Sequence, residues 1–230
     1  MTRQGQPGAG AIESLYPFLY PAADGTSLPA VLDQVRRSTV AKAKEITELR
    51  RLVSARDGAR LVSCACDAAA RFSGGGRLLA FGNGGSATDA QQLATLFLNP
   101  GGDVRPLPAL GLASDSSVVT ALCNDIGVEV VFSRQIAAFG RRGDIAVGLS
   151  TSGSSENLLR AFDEASRRGL LTVGIAGYEG GKMAELDSID YLFVAPSSSV
   201  HRIQEAQTTI YHVLWELTQR ALTAPGRVER

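Results

Sequence analysis

The sequence predicts an α/β protein built on a parallel sheet with helices covering both faces. Three observations carry that expectation: five short apolar runs, helical stretches that alternate with them, and glycine- or serine-rich turns where a run passes into a helix. A length of 230 residues, with 44% hydrophobic and 20% charged residues, suits one large domain around a single core.

The elements follow in order. The opening residues, MTRQGQPGAGAIESLYPFLYPAADGTSLP, are rich in Gly, Pro and Ala, which predicts a partly irregular arm over residues 1–27. Leu15, Tyr16, Phe18, Leu19 and Tyr20 are too apolar to leave in water, so the arm is expected to pack on this subunit or on a neighbouring subunit, and it also offers a surface to a protein partner. From Ala30 to about Ala55, Leu32, Val35, Val40, Ile46, Leu49, Leu52 and Val53 recur at helical spacing. A second helix is expected from about Asp57 to Phe72, closed by Gly74-Gly75-Gly76. The expected strands are Arg77–Phe81, Ala109–Leu112, Ile145–Leu149, Leu171–Ile175 and Tyr191–Ala195. Helices are expected at Ala87–Leu98, Ser117–Cys123, Val128–Phe139, Ser155–Arg168, Lys182–Leu186 and Val200–Leu222. The main domain is thus expected over residues 28–222, with a short tail over residues 223–230.

Charge narrows the function. Lys plus Arg equal Asp plus Glu at 23 each, so no global field draws the chain to nucleic acid or to an anionic membrane, and a bound anion must be held by local dipoles and hydroxyls. Cys64, Cys66 and Cys123 are too few for a disulfide framework and read as buried and reduced, with a metal site the lesser reading. Residues 1–27 lack a charged start followed by a continuous apolar run, and no segment reaches the length that spans a bilayer, so the expected location is the cytoplasm.

Two loops carry the chemistry. The first strand runs into Gly82-Asn83-Gly84-Gly85-Ser86 and then a helix, an arrangement that lets backbone N–H groups approach an anion. It is not the dinucleotide fingerprint, because Ala87 stands where the third glycine would fall and no acidic residue ends the next strand. The third strand runs into Ser150-Thr151-Ser152-Gly153-Ser154-Ser155-Glu156-Asn157, where five hydroxyls meet a helix start. A helix cap needs one hydroxyl, and five fit a phosphate cradle that uses no lysine.

With these loops in place the chain resembles the sugar isomerase (SIS) domain family, and within it the phosphoheptose isomerase group, over about Ala30 to Leu222. The resemblance rests on the first loop followed by Asp89-Ala90-Gln91, on Cys123-Asn124-Asp125, Phe132-Ser133-Arg134-Gln135, Arg142-Gly143-Asp144, Ser150-Thr151-Ser152-Gly153, Gly180-Gly181-Lys182-Met183 and Arg202-Ile203-Gln204-Glu205. It implies a three-layer doubly wound sheet with an N-terminal helical extension, a homotetramer with sites at subunit interfaces, and a sugar phosphate such as sedoheptulose 7-phosphate as ligand. It marks Gly84, Ser86, Ser150, Thr151, Ser152 and Ser155 as phosphate-binding residues, and Asn83, Asp125 and Gln204 as sugar contacts.

Aldose–ketose isomerisation needs a base to move a proton between adjacent carbons and an acid or metal to stabilise the enediol oxygen. In phosphoheptose isomerases the helix after the first loop carries a histidine and, one turn later, a glutamate base. Here those positions hold Gln92 and Leu96, so the usual base is absent and the zinc site of some family members is weakened, and no cofactor is expected. Gln204 and His212 match the family's glutamine and acid histidine, with Thr208 between them on a polar stripe. His201 stands where the family has aspartate and offers an imidazole as a substitute base. The expected function is sugar-phosphate binding with reduced or lost turnover. The alternatives are an active isomerase with His212 as acid and His201 as base, or a scaffold like the SIS proteins that associate with replication initiator proteins.

Overall fold

The apolar runs pair as a parallel sheet. In the computed structural model, which describes Leu28–Thr223, the strands are β1 (Leu78–Gly82), β2 (Ala109–Gly111), β3 (Ile145–Ser150), β4 (Leu171–Gly177) and β5 (Tyr191–Ala195). Every residue of β1, β3 and β4 is buried, as helices on both faces require. The strand order is β2-β1-β3-β4-β5, parallel throughout, with Leu78 opposite Ile145 and Gly82 opposite Leu149. The order reverses between β1 and β3, so the crevice outside their carboxyl ends is where a doubly wound sheet accepts a ligand. The two glycine- and serine-rich loops leave the sheet there.

The helices are α1 (Leu28–Ser73), α2 (Gly85–Leu98), α3 (Ser116–Asp125), α4 (Val131–Phe139), α5 (Glu156–Arg167) and α6 (Val200–Thr223). The chain divides into two units, residues 1–43 and residues 44–230. In the first, residues 28–43 are helical, and Asp33 accepts hydrogen bonds from Arg36 and Arg37. The expected arm over residues 1–27 and all but the first residue of the expected tail lie outside the described residues.

In the second unit the strand alternation splits the core. Leu78 and Ala80 face a cluster with Leu61, Leu93, Phe97, Ile210 and Leu214 of α1, α2 and α6. Leu79 and Phe81 face Phe132, Ile136, Leu158 and Phe162 of α4 and α5. The Phe81 ring lies 5.3 Å from Phe162 and 5.5 Å from Phe132, in tilted contacts that favour the ring edges. Three layers result, as the resemblance implies.

Three element expectations are corrected. The two helices expected around residue 56 are one helix, because the intervening Gly58 costs only about 1 kcal/mol and tertiary contacts hold the joint. Asp57 there is 2% exposed and bonds to Arg56 and Arg60. Those two arginines also donate to the Val194 and Leu192 carbonyls of the edge strand, and the Arg60 guanidinium sits 5.6 Å from the Phe193 ring centre. The helix expected from Val128 to Phe139 begins with a separate 3-10 turn, Val128–Val130, after Gly127. The stretch at Lys182 is a 3-10 turn, Gly181–Glu185, started by Gly180 and Gly181, both at positive φ. Cys64 is fully buried on α1, where burial pushes its thiol pKa up, the state of an unreactive side chain.

Candidate functional site

The site is built where β1 and β3 hand over to helices. Gly84 is the N-cap of α2 and has no side chain to cap it, which leaves that helix start to backbone groups. Ser86, in the first turn, is 5% exposed. Across the crevice, Ser150 ends β3 and its Oγ accepts from the Gly153 N–H at 3.0 Å. The Ser152 Oγ lies 3.4 Å from it and accepts from the Ser154 N–H. Ser155 is the N-cap of α5, yet its hydroxyl makes no capping bond. Among the described residues the hydroxyls of Ser86, Thr151 and Ser155 have no hydrogen-bond partner, so three donors stand uncommitted in the two turns where β1 and β3 pass into helices.

Backbone crowding fixes the serine loop. Gly153 has φ +63°, and a Cβ there would fall 1.9 Å from the Gly180 carbonyl oxygen. The Met183 N–H donates to the Gly153 carbonyl at 2.8 Å and the Lys182 N–H to Ser154 Oγ at 3.2 Å. The Gly180-Gly181-Lys182-Met183 motif is therefore the backing of the serine loop.

Two amides that sequence reasoning did not single out tie the parts together. Asn157, 5% exposed in α5, exchanges two 2.9 Å hydrogen bonds with Asn83, so the first loop is clamped to the second and the Asn83 amide is already engaged. Gln207, fully buried in α6, donates to the Ser150 and Ile175 carbonyls at 3.1 Å each, holding the ends of β3 and β4 under the loop. A lone amide in a helix carries no local signal; the one available clue was that each sits near a motif.

The second half of the site is the pair α2 and α6. Gln204 reaches Gly85 closely enough that a Cβ there would meet its Nε2 at 2.3 Å, which brings α6 to the first loop. One turn on, Thr208 donates to the Gln204 carbonyl, and His212 is half-buried with its ring stacked on Tyr211 at 5.2 Å. Leu96 packs partly buried against the core, and Gln92 is exposed. Gln92 lines a groove of about 470 Å³ with Thr88, Gln91, Thr95 and Ser114, and Ser114 bonds to Gln91. His201 is exposed in the first turn of α6, and Asp125 is exposed at the end of α3, where it accepts from Asn124. The structure thus gathers the two loops with Gln204, and among the described residues no hydrogen bond ties His201 or Asp125 to this cluster.

Asp89 and Tyr211 complete this half. Burial raises the Asp89 carboxyl above its ordinary range, and one oxygen, Oδ2, is buried without a hydrogen-bond partner. The Tyr211 hydroxyl is also buried; burial pushes its pKa up, the neighbouring Thr208 hydroxyl opposes that, and the Asp89 charge adds a smaller push upward. Among the described residues no group of three or more His, Cys, Asp and Glu side chains is placed to hold a metal.

Comparison with known proteins assigns this arrangement. A profile of the SIS domain matches residues 43–177. The chain belongs to the SIS domain family. Phosphoheptose isomerase from Pelodictyon phaeoclathratiforme is 44% identical over 178 residues, 76% of this chain and 84% of its own length. The enzyme of that name from Nitratidesulfovibrio vulgaris is 41% identical over 83% of this chain and 91% of its own. The solved structure of a phosphoheptose isomerase from Neisseria gonorrhoeae superposes with a TM-score of 0.71 at 33% identity, covering 79% of this chain and 97% of that one. One from Francisella tularensis gives 0.72 at 27% identity, covering 83% and 98%. This SIS chain is therefore of the phosphoheptose isomerase type, with its doubly wound sheet.

Proposed function

We propose that this chain binds sedoheptulose 7-phosphate or a closely related sugar phosphate, and isomerises it far more slowly than a protein with the full family site. The observation that carries the reading is the set of uncommitted hydroxyls, Ser86, Thr151 and Ser155, in the two strand-to-helix turns on either side of the switch point. Hydroxyl and N–H donors converging on one crevice suit a phosphate dianion, and the neutral chain offers no broad cationic field instead. With the phosphate there, Gln204 beside the first loop and His212 two turns along α6 are the groups this reading assigns to the sugar. The names of the relatives favour the same class of ligand.

Slow turnover follows from what α2 offers at the family's base position. Leu96 accepts no proton, and Gln92 is an amide. Zinc, which the resemblance suggests, does not fit: Gln92, Leu96, Gln204 and His212 together supply one imidazole, two neutral amides and a hydrocarbon, a poor set for this ion. The second reading, a ligand sensor or scaffold with no turnover, is favoured by the packing of Leu96 into the core. One experiment separates the two. Purified protein is mixed with sedoheptulose 7-phosphate while melting temperature and product are both followed. A thermal shift with slow product supports the proposal, a shift without product leaves the sensor, and neither overturns both.

The resemblance also favours a cytoplasmic homotetramer. An apolar groove of about 240 Å³ between α1 and α6, lined by Val53, Leu61, Ile210, Val213 and Leu217, supplies surface for a second copy. A monomeric mass by light scattering at micromolar concentration would contradict assembly. Among the described residues no helix is long and apolar enough to cross a membrane.

A further inference from the structure

Asp89 is the group for which the site so far has no use. It lies on α2 three residues before Gln92 and seven before Leu96, which places all three along one stripe of the helix. Its Oδ2 is buried and accepts no hydrogen bond, and no lysine or arginine pairs with it among the described residues. The Tyr211 hydroxyl is buried on the facing helix α6, near enough to feel the Asp89 charge. Thr208 donates its own proton to the Gln204 carbonyl, so its oxygen is left to accept from the phenol. Buried polar atoms in folded proteins nearly always have a partner, and among the described residues Asp89 Oδ2 is the one carboxylate oxygen buried without one, so it marks a place where something binds or reacts. A carboxylate oxygen with no donor and no cation keeps a free lone pair, and burial strengthens its hold on a proton. These are the attributes of a general base.

We propose that Asp89, assisted by the Tyr211 hydroxyl, moves the proton between the two carbons of the bound sugar in place of the carboxylate absent at position 96. The inference rests on the sugar-phosphate reading above. Asp89 takes a proton from the hydroxymethyl carbon beside the ketone; the C–H electron pair becomes the second bond of an enediol, and the ketone oxygen takes a proton from His212. In the second half Asp89 returns its proton to the former ketone carbon, and the terminal hydroxyl gives its proton back to His212 as it becomes the aldehyde. No oxidant, reductant or co-reactant is consumed.

The test follows deuterium rather than product. Protein and sedoheptulose 7-phosphate are mixed in heavy water, incorporation at the carbon next to the carbonyl is read by mass spectrometry, and affinity is measured in parallel by calorimetry. The wild type is expected to incorporate deuterium. Asp89→Asn should lose it by ~10²-fold or more while binding the sugar within about threefold of wild type. Tyr211→Phe, which removes one oxygen, should slow exchange severalfold at unchanged affinity, and it serves if Asp89→Asn fails to fold. Exchange at the wild-type rate in Asp89→Asn overturns the proposal, as does a wild type that binds the sugar and exchanges nothing, or a loss confined to His201→Ala. Absence of binding in calorimetry overturns the sugar-phosphate reading itself, a result distinct from binding without exchange.

Discussion

The loop after β3 and the face of α2 meet at one crevice, but they are made of different things. The loop is held by backbone, through the close approach of Gly153 to Gly180, the Met183 N–H on the Gly153 carbonyl, and Gln207 beneath Ser150. Its hydroxyls are interchangeable donors on a fixed frame. The face of α2 has no such redundancy: a proton acceptor is one side chain at one position, and Leu96 offers none. Binding and chemistry in this fold therefore have separate tolerances to mutation.

The largest effect that would sharpen the contrast is restoration. Gln92→His with Leu96→Glu puts both family groups back on α2, and turnover of sedoheptulose 7-phosphate is expected to rise by ~10²–10⁴-fold in a steady-state assay. Leu96→Glu alone is expected to give less, because it places an unpaired charge where Leu96 now packs against the core. No gain from the pair would mean that the pocket geometry, and not only the base, differs from the family's. A smaller effect tests the loop. Ser152→Ala with Ser155→Ala removes two donors to a charged acceptor, each worth ~1.5–3 kcal/mol, so calorimetry should show affinity falling well over tenfold with little change in melting temperature. Unchanged affinity would put the phosphate elsewhere.

The smallest effect is a control outside both regions. The Tyr191 hydroxyl donates to Asp67 at 2.7 Å, and that bond, followed by burial, pushes its pKa up to about 12. The folded state holds this proton more tightly than the unfolded chain, whose tyrosine titrates near ~10, so the contribution is intact below that pH and is lost as pH rises toward 12. Denaturant unfolding between pH 9 and 12 should show a modest decline, absent in Tyr191→Phe, with sugar-phosphate affinity untouched at neutral pH.

The fold was legible because strands buried on both faces read as continuous apolar runs, and all five strands lie within two residues of the expected bounds at each end. The joint at Asp57 was not legible. An aspartate before a glycine reads as a helix boundary, and only the β5 carbonyls, more than a hundred residues away, explain why Arg56 and Arg60 converge there. The serine loop was legible because five hydroxyls exceed what capping uses. The clamp between Asn83 and Asn157 was not, since 74 residues separate two ordinary amides that only the pairing of β1 with β3 brings together. Asp89 stands within a family motif, but its orphaned oxygen is a property of packing, which no spacing of residues reveals.

The arginine pair on α1 also bears on how copies of this chain can join. A sheet's outermost strand ordinarily advertises a row of free carbonyls to any passing strand. Here the outer side of β5 has handed the Leu192 and Val194 carbonyls to Arg60 and Arg56, and the opposite margin, β2, is three residues long. Neither rim offers a template for a visiting strand. Recruitment of another molecule is left to helical surfaces, where side-chain shape discriminates between partners as a bare backbone ladder does not.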